Sequence, residues 1–315
     1  MYINSEQYDC ISLFPKLYYL TQEGISINNL HKEFSDPMLS SYIDDLCKNR
    51  ILISHLPSWH EVYTPYFSVF DNKYEEDTFL NKEKYKAFKR EQMERLVKVE
   101  DSYISLELLT NNLPKSILER QSYRNFDENK LIDFTMFSTL LSVLKQTKTD
   151  DNYHYFYSSA GGLYPLDIYL YIKGNRVENV SEGLYYYHPV SHKLYLVSKN
   201  KIDENSTYAK NKNIFLSSAL TMYIVYNANA SMPIYGSDAY YYASIDTGIL
   251  VATLTQVCES LNLGLCSIGD MNFDHIKDCF GLSENQIFMH SIEIGIKPSV
   301  ALTFDEVTQK YIQNK

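Results

Sequence analysis

The spacing of apolar and polar positions changes along the chain, and the change predicts where helices give way to strands. Over residues 17–53 apolar side chains recur at helical spacing, first Leu17, Leu20, Ile25, Ile27 and Leu30, then Met38, Leu39, Tyr42, Ile43 and Leu46. The run Arg50-Ile51-Leu52-Ile53 follows as a strand. Helix, turn, helix and strand in this order predict a small winged-helix-like domain. Residues 57–80 are turn-rich, with Pro57, Pro65 and the acidic Glu75-Glu76-Asp77, and predict a linker. Lys82–Val97 then predicts a mostly solvated, basic helix with only Tyr85, Phe88 and Leu96 spaced to bury.

From Ser102 onward strands and helices alternate. Leu166–Lys173 predicts a strand with Ile168, Leu170 and Ile172 on one face and Tyr169 and Tyr171 on the other. Leu184–Tyr187 and Lys193–Val197 flank His188-Pro189-Val190-Ser191-His192 as a hairpin, and Ala219–Tyr226 and Ile287–Ile294 add further strands. Asp246–Asn262 carries Ile249, Leu250, Ala252, Leu254, Val257, Cys258 and Leu261, so it predicts a buried helix at a subunit interface, with Gly264 as its C-terminal stop. The fold class expected is α+β in two domains, residues 1–100 as a docking domain with its linker and residues 101–315 as the larger one.

Charge and composition remove several classes of partner. The formal charge is -10, which gives no general attraction to nucleic acid or anionic lipid. Residues 1–53 hold four basic side chains against seven acids, so the helical module is expected to dock protein rather than DNA. The five cysteines are odd in number and contain no Cys-x-x-Cys pair, which fits a reducing compartment and implies no metal site. The most apolar segment, Phe215–Tyr226, is broken by Ser217, Ser218 and Thr221 and is too short to span a bilayer, and Met1–Phe14 lacks a basic stretch followed by an apolar one. A cytoplasmic protein without a membrane partner is expected. Glycine-rich dinucleotide, Walker, zinc-protease and serine-hydrolase motifs are all missing from the sequence.

Two segments carry the candidate chemistry. Arg120-Gln121-Ser122-Tyr123-Arg124-Asn125-Phe126 sets two guanidinium groups and a hydroxyl on alternate positions, a donor set suited to a phosphate. Ser158-Ser159-Ala160-Gly161-Gly162-Leu163-Tyr164-Pro165 follows about 35 residues later, with small side chains that let the backbone lie against a large planar group. Each has an ordinary reading. Arg120 and Arg124 would also form an i, i+4 helix face in solvent, and Gly161-Gly162 would also be a tight turn opening the next strand.

Taken together, these segments resemble the flavin-binding motifs of the FMN-dependent nitroreductase superfamily, and Ser-Ala-Gly-Gly-Leu-Tyr-Pro resembles its SagB/McbC-type azoline dehydrogenase branch. The resemblance covers residues 101–315. It implies a nitroreductase-like FMN-binding fold, a homodimer with FMN at the interface, and cofactor contacts from Arg120, Gln121, Ser122, Arg124, Ser158, Ser159, Ala160, Gly161 and Gly162. Within that set Arg120 and Ser122 would hold the phosphate and ribityl end, and Arg124 the pyrimidine edge. Leu263-Gly264-Leu265-Cys266-Ser267-Ile268-Gly269 resembles the segment whose main-chain amides reach the flavin, which adds Ile268 and Gly269 and leaves Cys266 an inert buried thiol. His290-Ser291-Ile292-Glu293-Ile294-Gly295 resembles the closing strand, with Glu293 and Ile294 in place of the usual Leu and Gly. Lys297 reads as a solvated strand end or an extra phosphate ligand.

Met232-Pro233-Ile234-Tyr235-Gly236 resembles the segment where peptide-modifying members carry a Lys-Tyr pair. Ile234 replaces the Lys, and Tyr235, retained, is the implied catalytic residue; otherwise it is one more core tyrosine. The wording is similar to oxidase domains that serve nonribosomal peptide synthetases. The implied reaction is oxidation of a peptidyl thiazoline, or an oxazoline, to the azole on a synthetase module or peptidyl carrier protein. A base takes the C4 proton, hydride leaves C5 for the flavin, and O2 reoxidises it. An NAD(P)H-dependent nitroreductase or flavin reductase is the alternative within the enzyme class. The others are a dehydrogenase of a ribosomal-peptide heterocycle synthetase complex and the non-catalytic scaffold of such a complex.

Overall fold

The computed structural model describes residues 10–21, 24–48, 51–52, 78, 81–95, 104–107, 112–149, 152–303 and 306–307. The chain divides into two compact units, Met1–Thr78 and Phe79–Lys315.

In the first unit three helices, Cys10–Thr21, Ile27–Glu33 and Pro37–Lys48, bury Leu17, Leu30, Phe34, Ile43 and Leu46 against one another. The apolar series from Leu17 to Leu30 therefore belongs to two helices, not one. Gly24 at φ +83 sits in the break, and Ser26 starts the second helix by accepting a hydrogen bond from the Asn29 amide. Ile51 and Leu52 form a bend, while Arg50, Ile53 and nearly all of the expected linker lie outside the described residues. In the second unit the basic helix Lys82–Glu94 has no buried residue, and Phe88 is exposed. Leu96 lies outside the described residues.

The core of the second unit is a six-stranded antiparallel sheet. Beyond the small β1–β2 hairpin (Thr147–Thr149 and Asn152–His154) come β3 Leu166–Ile172, β4 Gly183–His188, β5 Lys193–Ser198, β6 Leu220–Asn227, β7 Leu263–Ile268 and β8 Gln286–Ile296. Their order in the sheet is β5-β4-β3-β6-β8-β7. Strand alternation divides the sheet's two faces chemically. Ile168, Leu170, Ile172, Met222, Ile224, Ile292 and Ile294 pack on one side with Leu250 and Leu254 of a long helix. Tyr169, Tyr171, Tyr223 and Val225 pack on the other against Phe215, Phe273, Ile276 and Phe280.

The long helix runs Asp238–Ser260, beginning eight residues before the predicted Asp246. Ala239, Ala243, Asp246, Thr247, Leu250, Leu254 and Cys258 form its buried stripe, and the small residues at its start extend the stripe although they contribute little hydrophobic signal. The helix stops through Asn262, which takes φ +56, rather than at Gly264. Gly264 has another task within β7, where a Cβ would meet Tyr123 at 2.9 Å.

Candidate active site

Residues 120–126 are not helical, which removes the helix-face reading of Arg120 and Arg124. The segment is held against the sheet edge by its apolar members. Tyr123 and Phe126 are buried with Ile214, Cys266 and Ile268, and the Tyr123 amide donates to the Leu265 carbonyl at 3.0 Å. Close approach needs glycine beneath each ring: a Cβ on Gly264 would meet Tyr123 at 2.9 Å, and one on Gly295 would meet Phe126 at 2.9 Å. The polar members between these anchors are thereby held at the edge of the sheet.

Arg120, Gln121 and Ser122 line a cavity of about 420 Å³ together with Ser116, Ile117, Leu265, Ser267 and one face of the long helix. That helix face presents Gly248, Val251, Ala252, Thr255 and Gln256. Gly248 and Ala252 keep the wall low. Arg124 does not line this cavity; its guanidinium donates to the Ser122 carbonyl at 3.3 Å, and its charge helps hold the Lys210 ammonium, already disfavoured by partial burial, below its ordinary pKa.

The Ser158–Gly162 segment is fastened to the long helix. Asp246, 2% exposed, accepts from Ser159 Oγ at 2.6 Å and from the Ala160 amide at 3.1 Å, while Ser159 Oγ in turn accepts from the Tyr164 amide at 3.0 Å. Ser159 is thus committed to this clasp, and Ser158 is exposed. Gly161 and Gly162 take φ +59 and +66, and Tyr164 takes φ +48. The Tyr235 hydroxyl sits directly over Gly161, where a Cβ would overlap it and lie 3.2 Å from its Cζ. Tyr235 also meets Tyr242 edge-on at 5.0 Å between ring centroids. Gly161 is therefore more than a turn residue: its bare Cα makes room for the phenol.

In β7 the alternation places Ser267 on the cavity side and turns Cys266 and Ile268 to the opposite face. Burial pushes the Cys266 thiol up to about 11, as expected for an inert thiol. Ile268 can offer the cavity only its main chain, and Gly269 is exposed. Ser267 Oγ lies 2.5 Å from His290 Nε2 on β8. Lys297 pairs with Glu259 at 2.5 Å and lies 5.2 Å from the Tyr123 ring centroid, so it supports the anchoring ring rather than pointing at solvent.

A family model described as the nitroreductase family matches residues 117–295, more than half the chain, from Ile117 of the cavity wall to Gly295 within β8. The chain belongs to the nitroreductase family. Within it, a Methanocaldococcus jannaschii protein named for the nitroreductases is 26% identical over 132 residues, covering 42% of this chain and 66% of that relative. The E. coli microcin synthetase McbBCD complex contains a chain of similar fold, with TM-score 0.59 and 16% identity over 89% of this chain and 100% of that one. The nitroreductase match contains Arg120, the Ser158–Gly162 segment, Tyr235 and Ile268.

Three features of the site were missed in the sequence. Asp246 is a carboxylate on the buried stripe of an apolar helix, which was the available signal. Thr255 and Gln256 looked like the polar remainder of that helix. The Ser267–His290 pair had no signal, because its members are 23 residues apart and meet only through the β7–β8 register.

Proposed function

We propose that this nitroreductase-family protein is an FMN-dependent oxidoreductase that oxidises a peptidyl thiazoline, or an oxazoline, to the aromatic azole, with O2 as the final acceptor. The observation that carries the reading is the convergence of Arg120, Gln121 and Ser122 on one cavity floored by β7 and walled by the low face of the long helix. The donor set fits FMN. A guanidinium, hydroxyls and amides are what a phosphate, a ribityl chain and a ring edge require, and the volume lies in the range of cofactor sites. Bound FMN would supply the hydride acceptor for the C5 hydrogen of the azoline.

The chain's own part is to bind, orient and handle the proton. Arg120 and Ser122 would hold the phosphate and ribityl end, with Gln121 beside them. The clasp from Asp246 to Ser159 and Ala160 fixes the Gly161-Gly162 turn, with the Tyr235 phenol over Gly161. Tyr235 orients the heterocycle. Ile268 and Gly269 would add contacts through the main chain, whereas Arg124, outside the cavity lining, is not among the cofactor's contacts. The substrate is carried on a nonribosomal peptide synthetase module or peptidyl carrier protein, and the enzyme acts as a homodimer.

A second reading has one observation in its favour. The fold similarity to a chain of the McbBCD complex extends over 89% of the protein, beyond the nitroreductase match, and this favours a ribosomal-peptide heterocycle synthetase as the second candidate partner.

The test is direct. Purified protein is expected to be yellow with about one FMN per subunit, because several charge-assisted bonds act together on one phosphate. Arg120→Ala should lower that occupancy, and full occupancy in this variant would remove the phosphate assignment. A thiazoline ester should be converted to the thiazole with peroxide formed, whereas NAD(P)H consumption with a nitroarene and no azoline turnover would favour the reductase alternative.

A further inference from the structure

The proposed reaction releases a proton from azoline C4, and the side chains lining the cavity include no evident acceptor for it. Arg120 is a fixed cation, Gln121 and Gln256 are amides, and Ser116, Ser122 and Thr255 are hydroxyls. The position where relatives place a lysine is Ile234, which is exposed. Tyr235 lies over Gly161 and is not part of the cavity lining.

Ser267 differs from the other hydroxyls. It faces the cavity from a strand whose neighbouring side chains, Cys266 and Ile268, are buried on the far side, and its Oγ lies 2.5 Å from His290 Nε2. The two residues belong to adjacent strands, β7 and β8: Ser267 is opposite Ile292, and His290 lies two residues along β8 from Ile292, just past the ladder's last pair, Ile268 opposite Ser291. They are thus diagonal neighbours on one side of the sheet, a relation that the strand pairing brings about. Burial holds the His290 imidazole below its ordinary pKa, which leaves it neutral, with a lone pair free to accept, at neutral pH.

We infer that Ser267 and His290 form the proton acceptor of the cavity, the Ser267 hydroxyl taking the azoline C4 proton as it passes its own to His290 Nε2. This rests on the azoline reading of the proposed function and supplies the group that the missing lysine leaves open. The balance closes. The C4–H and C5–H bonds break, the C4=C5 double bond forms, two electrons leave with the C5 hydrogen to the flavin, and one proton ends on the imidazole. His290 acts through Ser267 and is in that sense a positioning residue.

The experiment uses the full-length, FMN-loaded protein and a small thiazoline ester. FMN occupancy and the visible flavin spectrum are recorded beside the rate of anaerobic flavin reduction. His290→Gln keeps a hydrogen-bond partner for Ser267 but cannot accept the proton, and it is expected to retain FMN while losing on the order of 10²-fold in rate. Ser267→Ala should behave alike, and the double variant should be no slower than either single one, because the two act as a unit. His290→Gly should regain rate with added imidazole, a response that a packing role would not give. A His290→Gln enzyme near the wild-type rate, or one whose slowing is wholly explained by lost FMN, overturns the inference. Wild-type protein that oxidises no azoline sinks the proposed function itself, a result obtained before any variant is made.

Discussion

The contact between Gly161 and Tyr235 ties the small-residue motif to the retained tyrosine. Gly161 at φ +59 lies in the left-handed region, where a side chain costs about 1–2 kcal/mol, and its missing Cβ is the space taken by the Tyr235 hydroxyl. Gly161→Ala should therefore destabilise the protein through backbone strain plus an overpacking cost of about 1–3 kcal/mol. Tyr235→Phe removes the overlapping oxygen. The double variant should recover the overpacking part while keeping the strain, so the two substitutions should be non-additive in denaturant melts; simple additivity would mean the phenol does not rest on Gly161 in solution. On its own, Tyr235→Phe should keep fold and FMN and lose on the order of 10²-fold in azoline oxidation, as expected for removal of a group that assists at the reacting centre. A near-normal rate would confine Tyr235 to packing.

Between elements, the departure of Glu293 from the family pattern has a structural consequence. Glu293 on β8 is 2% exposed and accepts from Ser218 Oγ at 2.5 Å and Thr221 Oγ1 at 2.9 Å, with Lys173 Nζ, just past β3, at 3.7 Å. Lys173 also reaches the Ser218 hydroxyl and the Phe215 carbonyl. The cluster links β3, β6 and β8 on the face opposite the long helix. Burial dominates both partners: it raises the Glu293 carboxyl and pushes the Lys173 ammonium down to about 8, against their mutual attraction. Lys173→Met, which strands a buried carboxylate, should cost about 3–5 kcal/mol, and adding Glu293→Leu should recover most of it. The pH dependence has a definite sign. With Lys173 at about 8 folded and 10.5 as its ordinary value, the unfolded chain binds more protons between these limits, so this group makes stability rise with pH there. Wild type should gain on Lys173→Met across that window in melts at several pH values, and parallel curves would remove the buried ammonium from the account.

At the scale of the whole molecule, the division at residues 78 and 79 separates a three-helix unit with its own apolar cluster from the sheet that carries the cavity. Its acidic balance argues for docking protein and against DNA. Deleting residues 1–78 should leave FMN bound and reduce turnover of a carrier-tethered azoline more than that of a free ester; equal losses on both would make the unit purely structural. The long helix leaves Tyr241 and Ile245 exposed beside Gly248 and Ala252, an apolar face in line with the expected homodimer. Ile245→Glu should shift the protein toward monomer in sedimentation and lower FMN occupancy in parallel. An unchanged dimer would place the interface elsewhere.

The sequence by itself determined five of the sheet's six strands, all but β7, and the two faces of β3, because a period of two writes burial directly into residue type, as Ile168, Leu170 and Ile172 against Tyr169 and Tyr171 illustrate. It also located the cavity's cation and hydroxyl at Arg120 and Ser122, since the chemistry of both groups is carried by residue identity within one short segment. Only the tertiary structure decided that Arg124 stands outside the cavity lining, that Gly264 serves ring packing instead of ending a helix, and that Asp246 holds the Ser159 loop. It alone brought Ser267 to His290. These relations run between positions 23 to 141 residues apart, and they are fixed by strand register and by which side of an element faces the core, quantities that no local spacing records.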